Sequence, residues 1–377
     1  MKILADENMA SLDPLFADLG EVRRLPGRAI GPQDLQDVDA LLVRSVTKVT
    51  PELLAAAPAL KFVGTATIGT DHLAIEALEQ RGIRWTNAPG CNADAVGEYV
   101  LQALLILAVK TCKPLAGQTI GLVGLGNTGS AVQKRLSALG IEVLRCDPPK
   151  QRSGAAGPWF SLAQLIERCD VISLHVPLIT DGDDPTLALL DEARLGMLKS
   201  NAWLVNACRG EVVDNDALIR VKARRPDLRL ALDVWEGEPR PKAALVELAD
   251  IATAHIAGYS VEGKIRGSQM LHQALVQGRC PTPEMATLLG DNALPPRQLE
   301  AELDDADLLA LIRSVYDLAE EDGLFRAALP DGFDKRRQAN LARREFSALP
   351  VVPATSKQAK MLANLGFTVE EKNEHGI

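Results

Sequence analysis

The sequence lacks an excess of positive charge, paired cysteines and any hydrophobic run long enough to cross a bilayer. Acidic residues outnumber basic ones, 50 to 41, leaving a net charge of −9. That argues against a nucleic-acid backbone or an anionic membrane as the partner, because such binding rests on clustered cations. The six cysteines (Cys91, Cys112, Cys146, Cys169, Cys208, Cys280) are scattered and form no C-x-x-C pair. Neither a disulfide framework nor a zinc site is therefore expected, and reduced thiols in the cytoplasm are the simplest reading. The longest apolar run, YVLQALLILAV at 99–109, falls short of the roughly 20 residues of a membrane helix and predicts a core helix instead. The opening MKILADEN reaches two acids after three apolar residues, unlike a secretion signal. No repeat of short fixed period is visible.

What is present is a soluble-protein composition, 47% hydrophobic and 24% charged, on 377 residues. That length predicts two or three domains. Short apolar runs alternate with helical patterns as far as residue 260. KILA (2–5), ALLV (40–43), FVGT (62–65) and IRWTN (83–87) read as strands; after a helix at 94–110 come TIGLVG, EVLRC, DVISLHV, AWLVNA, RLALDV and IATAHI. Alternation with nearly continuous apolar strands predicts an α/β fold of parallel sheets covered on both faces. Near 280 the composition changes. A Pro-rich stretch, CPTPEMATLLGDNALPPRQLE, reads as a linker into an amphipathic helical run, DDADLLALIRSVYDLAEEDGLF. A basic helical stretch and a strand–helix–strand pattern follow, so the tail reads as a separate small α/β domain. The last residues, EEKNEHGI, are expected to fray.

The most specific motif is GLVGLGNTGSAVQKRL at 121–136. Gly124, Gly126 and Gly129 form G-x-G-x-x-G between a strand and a helix, with Asn127 and Thr128 inside the turn. Such glycines permit the tight turn, the approach of a pyrophosphate and close helix–strand packing, and the helix N-terminal amides face the phosphates. Asp147 ends the next strand, 18 positions after Gly129. A carboxylate there accepts from ribose hydroxyls and repels a 2′-phosphate, which favours NAD over NADP.

Three further polar residues sit just beyond later strands: Arg209 after AWLVNA, Glu238 after RLALDVWEG and His255 after DIATA. Ligands of open α/β sheets bind beyond the carboxyl ends of strands, so the three can share one crevice. Oxidising a 2-hydroxy acid needs a base for the hydroxyl proton, and an imidazole suits that task. A carboxylate orients the ring, and a guanidinium clamps the substrate carboxylate. His175, in VISLHVPL, also follows a strand, and spacing leaves it as a competitor for the base. His72, His272 and His375 are weaker candidates.

Taken together, the glycine motif with its aspartate, HVPL (175–178), NACRGEVVD (206–214), LDVWEGEP (232–239) and AHIAG (254–258) resemble the D-isomer-specific 2-hydroxyacid dehydrogenases. VRSVTKV, FVGTATIGTDH and NAPGCNADAVGEYV extend the match through the first part of the chain. The resemblance implies Arg209 as the substrate-binding arginine, Glu238 as the partner of the histidine and His255 as the acid/base, which places His175 in a cofactor-side loop with Val176. It also implies NAD contacts at Asp147, Ala207, Cys208, Arg209, Asp233 and Gly258, and substrate contacts at Ser45, Thr67 and Tyr259. Two departures from the common family form, Ala254 in place of proline and GYSVEGK at 258–264, suggest a specialised pocket. The implied substrate is a small phosphorylated 2-hydroxy acid, which calls for added positive charge. Arg44 is the candidate beside Ser45, with Lys48 behind it, and Lys335, Arg336, Arg337, Arg343 and Arg344 form a basic cluster in the tail.

The family fold implies two doubly wound parallel-sheet domains: a flavodoxin-like substrate domain at 1–93 and 256–281, and a Rossmann NAD domain at 94–255. Helices near 94–110 and 262–278 would form a hinge. Residues 282–377 would form a C-terminal α/β domain through which a homodimer assembles, with no metal. A 3-phosphoglycerate dehydrogenase and a nonenzymatic NAD-sensing regulator of the same fold stay open. Formate oxidation fits less well with a carboxylate at Glu238.

Overall fold

The computed structural model describes residues 1–300 and 302–370. His375 and all but the first residue of the stretch expected to fray lie outside the described residues. The chain forms two compact units, one of residues 1–92 and 260–292, the other of 93–259 and the described part of 293–377.

The first unit is built on a parallel sheet of β1 (Lys2–Asp6), β2 (Glu21–Leu25), β3 (Ala40–Val43), β4 (Phe62–Thr65) and β5 (Arg84–Thr86), in the order β2-β1-β3-β4-β5. This is the flavodoxin-like order. β3 and β4 are buried along their whole length, which is why each reads as an unbroken apolar run. β2, EVRRL, lies at the sheet edge with no buried residue, so its pattern carries no strand signal. The helix Val261–Val276 returns to this sheet. Added Cβ atoms at Gly64 and Gly267 would stand 3.1 Å from the Leu271 side chain and 3.2 Å from the Ala66 carbonyl oxygen respectively, so glycine permits the close approach.

In the second unit β6 (Thr119–Val123), β7 (Glu142–Cys146), β8 (Val171–Leu174), β9 (Trp203–Asn206), β10 (Arg229–Leu232) and β11 (Ile251–Ala252) pair in parallel in the order β11-β10-β9-β8-β6-β7. The order reverses at β6, with β7 on one side and β8 to β11 on the other. The turn after β6 therefore opens at the switch point where such sheets bind ligands. The apolar run at 99–109 lies in the helix Ala93–Thr111, which is buried around most of its circumference, as a core helix should be. Among the described residues no helix is long and apolar enough to cross a membrane.

The tail carries its own parallel sheet, β12 (Arg297–Gln298), β13 (Pro350–Val352) and β14 (Thr368–Val369), in the order β12-β13-β14. β12 emerges from the stretch read as a linker. The single amphipathic run divides into Asp305–Arg313 and Leu318–Ala328, because the Asp317 carboxylate accepts from the Ala319 amide at 2.9 Å and starts a new helix. Strands this short bury little apolar surface alone. The tail instead shares the second unit's cores: Leu308, Ile312, Leu349 and Leu362 join the same apolar cluster as residues of the Ala93–Thr111 helix. Phe325 lies between Trp235 and Phe333, with ring centres 6.0 and 5.8 Å away. The tail's side chains thus belong to the same compact body as 93–259. Phe325→Ala should lower the stability of that body by about 3–5 kcal/mol, read as an earlier urea midpoint in one transition. A separate, early transition of the tail would contradict the shared core.

Candidate active site

The glycine turn after β6 has two glycines required by the protein and one that is not. Gly124 has φ of +89°, and an added Cβ would lie 2.5 Å from the His175 carbonyl oxygen and 2.9 Å from the Val176 side chain. At Gly129 a Cβ would lie 2.0 Å from the Gly124 carbonyl oxygen, so close packing of turn and helix demands glycine. Gly126 has φ of −65° and open space where its Cβ would go. Neither backbone nor neighbours require glycine there, and that bare surface is what a pyrophosphate needs for close approach. The helix Asn127–Ala138 begins at once, leaving its first amides without intrahelical acceptors. Asp147 is fixed beside this turn: its carboxylate accepts from the Leu125 amide (2.8 Å) and the Lys150 amide (3.0 Å). Carboxylate oxygens so held keep lone pairs for ribose hydroxyls. The residues fit a dinucleotide.

Beyond β9 the chain turns through Asn206, whose side-chain amide donates to the Arg209 carbonyl oxygen (2.9 Å) while its oxygen accepts from the Cys208 amide (3.2 Å). A Cβ at Gly210 would lie 2.0 Å from the Trp235 carbonyl carbon, so the turn rests directly on the backbone after β10. The Arg209 guanidinium donates to the Cys208 carbonyl oxygen at 2.8 Å, which holds it against its own turn. Burial pushes the Cys208 thiol up to about 11, making it an uncharged packing group.

The loop after β11 holds His255 in the left-handed region, φ +55°, a conformation uncommon for a non-glycine residue. Asp233, at the end of β10, sustains it. Its carboxylate accepts from the Thr253 hydroxyl (2.6 Å) and from the Ile256 and Ala257 amides (2.8 Å each), and its carbonyl oxygen accepts from the His255 amide (2.7 Å). Tyr99 extends the network to Thr253 at 2.7 Å. So held, the imidazole Nδ1 meets Glu238 Oε2 at 2.7 Å, with both side chains half-buried. The other Glu238 oxygen accepts from the Trp235 amide at 3.0 Å. Burial tends to raise the Glu238 carboxyl, but His255, the Trp235 amide and Arg337 outweigh it and hold the group below its ordinary value. An anchored carboxylate on Nδ1 fixes the ring and leaves Nε2 as the nitrogen that exchanges a proton. The resemblance puts Asp233 at the cofactor; it is 0% exposed, and the role its contacts display is that of anchor to the histidine loop.

The rival histidine is placed differently. His175 is buried, its Nε2 is 2.8 Å from the Ser173 hydroxyl, and burial pushes its imidazole down to about 4. In the first unit Arg44 and Ser45 follow β3, and Thr67 lies just beyond the neighbouring β4. The Arg44 guanidinium pairs with the buried Asp6 carboxylate at 3.1 and 3.4 Å. Ser45 and Lys48 are exposed. The Thr67 hydroxyl lies 2.8 Å from that of Thr65 and donates to the Gly69 carbonyl oxygen at 2.9 Å. His72 Nε2 meets Thr65 at 2.8 Å, and His272 Nδ1 meets the Thr282 hydroxyl at 2.8 Å. Among the described residues no cluster of three or more metal-ligating side chains occurs.

One member of the basic cluster in the tail supports this loop and carries no free charge toward a phosphate. Arg343, nearly buried, donates to the Ile256 and Ala257 carbonyl oxygens (3.1 Å each) and to that of Ala95 (3.0 Å), with its guanidinium 4.6 Å from the centre of the Tyr316 ring. It braces the loop from the side opposite Asp233's amide contacts, and nothing in the basic run of the tail distinguishes it from its neighbours.

The His175 environment carries a pH signature. A folded-state value near 4 against an unfolded 6.5 means the unfolded chain binds the proton first as pH falls. This residue's stability contribution is full above pH 6.5 and declines to pH 4, by about 3 kcal/mol. His175→Gln should flatten the loss in denaturation midpoint across that window relative to the unsubstituted protein; an unchanged slope would contradict the neutral buried imidazole.

Comparison with known proteins follows the same lines. Residues 108–257 match the family model for the D-isomer specific 2-hydroxyacid dehydrogenase NAD binding domain, and 288–366 match a domain of unknown function (DUF3410). The erythronate-4-phosphate dehydrogenase of Shewanella loihica is 52% identical over 375 residues, covering 98% of this chain and 99% of its own. Among solved structures, D-lactate dehydrogenase from Aquifex aeolicus, complexed with NAD and lactic acid, is 26% identical with a TM-score of 0.59 over 74% of this chain and 96% of its own. The TT0316 protein from Thermus thermophilus is 28% identical with a TM-score of 0.62, over 75% and 99%.

Proposed function

Because the chain belongs to the erythronate-4-phosphate dehydrogenases, within the D-isomer-specific 2-hydroxyacid dehydrogenase family, we propose that it oxidises 4-phospho-D-erythronate at C2. The product is (R)-3-hydroxy-2-oxo-4-phosphooxybutanoate, an intermediate of pyridoxal 5′-phosphate biosynthesis. The observation that carries the reading is the His255–Glu238 contact at 2.7 Å, in a unit whose glycine turn fits a dinucleotide. Bound NAD supplies the acceptor for the hydride that leaves C2.

The chain's own residues do the rest. His255 Nε2 takes the C2 hydroxyl proton as the carbonyl forms, and Glu238 on Nδ1 holds the ring and offsets the imidazolium charge. Arg209 clamps the substrate carboxylate, the task for which a planar fork of donors is suited. Gly124, Gly126, Asn127, Thr128 and Gly129 cradle the pyrophosphate, Asp147 takes the ribose hydroxyls, and Val176, Ala207, Cys208, Asp233 and Gly258 complete the cofactor's surroundings. Arg44, Ser45, Thr67 and Tyr259 contact the substrate. The enzyme works in the cytoplasm as a homodimer joined through the tail; sedimentation at micromolar concentration should give twice the chain mass.

Parallel assays of NADH formation with 4-phosphoerythronate, 3-phosphoglycerate and unphosphorylated erythronate test the substrate. The first should give the highest kcat/KM. Preference for 3-phosphoglycerate would redirect the reading to that enzyme, and no NADH from any of them would favour an NAD-sensing regulator. His255→Ala should lower kcat by about 100- to 10,000-fold while the NAD dissociation constant stays within about threefold. An equal loss of cofactor affinity would contradict an acid/base role. Arg209→Lys should lower kcat/KM by about 10- to 100-fold, since an ammonium lacks bidentate geometry; near-normal kinetics would remove the clamp.

A further inference from the structure

The tail's basic cluster resolves into residues with different occupations. Arg336 forms a two-pronged pair with the Glu321 carboxylate, one contact at 3.0 Å, and Arg343 is committed to backbone carbonyls beside His255. Arg337 is in neither position. Its guanidinium lies over the Tyr259 ring, 5.4 Å from the centroid, four positions beyond His255. Its Nε is buried and, like that of Arg343, has no hydrogen-bond acceptor among the described residues. A buried guanidinium nitrogen without an acceptor is costly. Stacking on an aromatic face fixes the plane of the fork while leaving its in-plane N–H groups to point at an anion. The charge is near enough to Glu238 to act on its carboxyl, so this donor set stands beside the catalytic pair. Arg44, the earlier candidate, already has its charge matched by Asp6.

We propose that Arg337 binds the phosphate of the substrate, making the tail of the chain the source of selectivity for a phosphomonoester at the end of the hydroxy acid remote from its carboxylate. The inference rests on the reading of a phosphorylated 2-hydroxy acid as substrate and goes beyond it by naming the residue that selects the phosphate. Arg209 meets one anionic end of the molecule and Arg337 the other. Tyr259 serves as the platform that holds the second guanidinium in plane, which gives GYSVEGK a role where the common family form differs. The small domain at 288–366 then contributes directly to recognition as well as to packing.

The test compares 4-phosphoerythronate with unphosphorylated erythronate, in the full-length protein and in Arg337→Ala and Arg337→Lys. The ratio of kcat/KM for the phosphorylated over the unphosphorylated acid should fall about 10- to 100-fold in Arg337→Ala and less in Arg337→Lys. NAD affinity reports that each variant is folded. Calorimetric binding of the two acids to the NAD-loaded protein reads the same preference without turnover. Failure of the functional reading therefore shows in the unsubstituted protein as binding without NADH formation, while the role of Arg337 is still decided. A ratio within about threefold of the unsubstituted value overturns the proposal, including the case in which both acids lose equally and the pH profile shifts for both, which would make Arg337 a positioning residue for Glu238. An unsubstituted ratio near one overturns it as well.

Discussion

The constraint on which the site depends is the hold of Asp233 on the loop after β11. Three donors converge on one buried carboxylate, and the same residue's carbonyl oxygen takes the His255 amide. That hold sustains a left-handed histidine, and the left-handed turn brings the imidazole to Glu238 from a strand of only two residues. A loop free to relax would give up the positive φ and with it the 2.7 Å contact. The strain is small beside the sum of the hydrogen bonds that oppose it. Arg343 adds a second set of bonds on the carbonyl side of the same peptide units, so both polar faces of residues 256 and 257 are occupied.

This arrangement explains why the tail and residues 93–259 form one compact body. A three-stranded sheet of two- and three-residue strands has little core of its own, yet its helices place Phe325 against Trp235, which lies two residues after Asp233. The tail's packing residues and its arginines thus support the same loops. In the glycine turn, Gly124 and Gly129 are dictated by contacts with residues 175, 176 and 124 themselves.

Much of this was legible in the chain, for stated reasons. Strands buried on both faces appear as unbroken apolar runs, so β3, β4, β6, β8 and β9 are readable, and Gly124, Gly126 and Gly129 mark a turn whose spacing is mechanical. Arg209, Glu238 and His255 stood out because each follows a strand. The edge strand β2 was not legible, since none of its side chains is fully buried, and β12 was hidden in a Pro-rich stretch. Spacing could not separate His175 from His255, because both follow strands; burial separates them, with one pressed beneath the glycine turn and the other half-exposed beside a carboxylate. Nor could it tell Arg336, Arg337 and Arg343 apart. Their contacts are with Glu321, Tyr259 and the carbonyls of 256 and 257, which come together only through long-range folding.

In the proposed reaction C2 of a phosphorylated 2-hydroxy acid loses a hydride to NAD while His255 takes the hydroxyl proton. The most direct measurement uses 4-phosphoerythronate deuterated at C2, with NAD, and analyses the reduced cofactor by mass spectrometry. Direct transfer gives one deuterium in each NADH formed and a slower turnover than with the protiated acid. Reduced cofactor without deuterium, or none at all while NAD and the acid both bind, would contradict it.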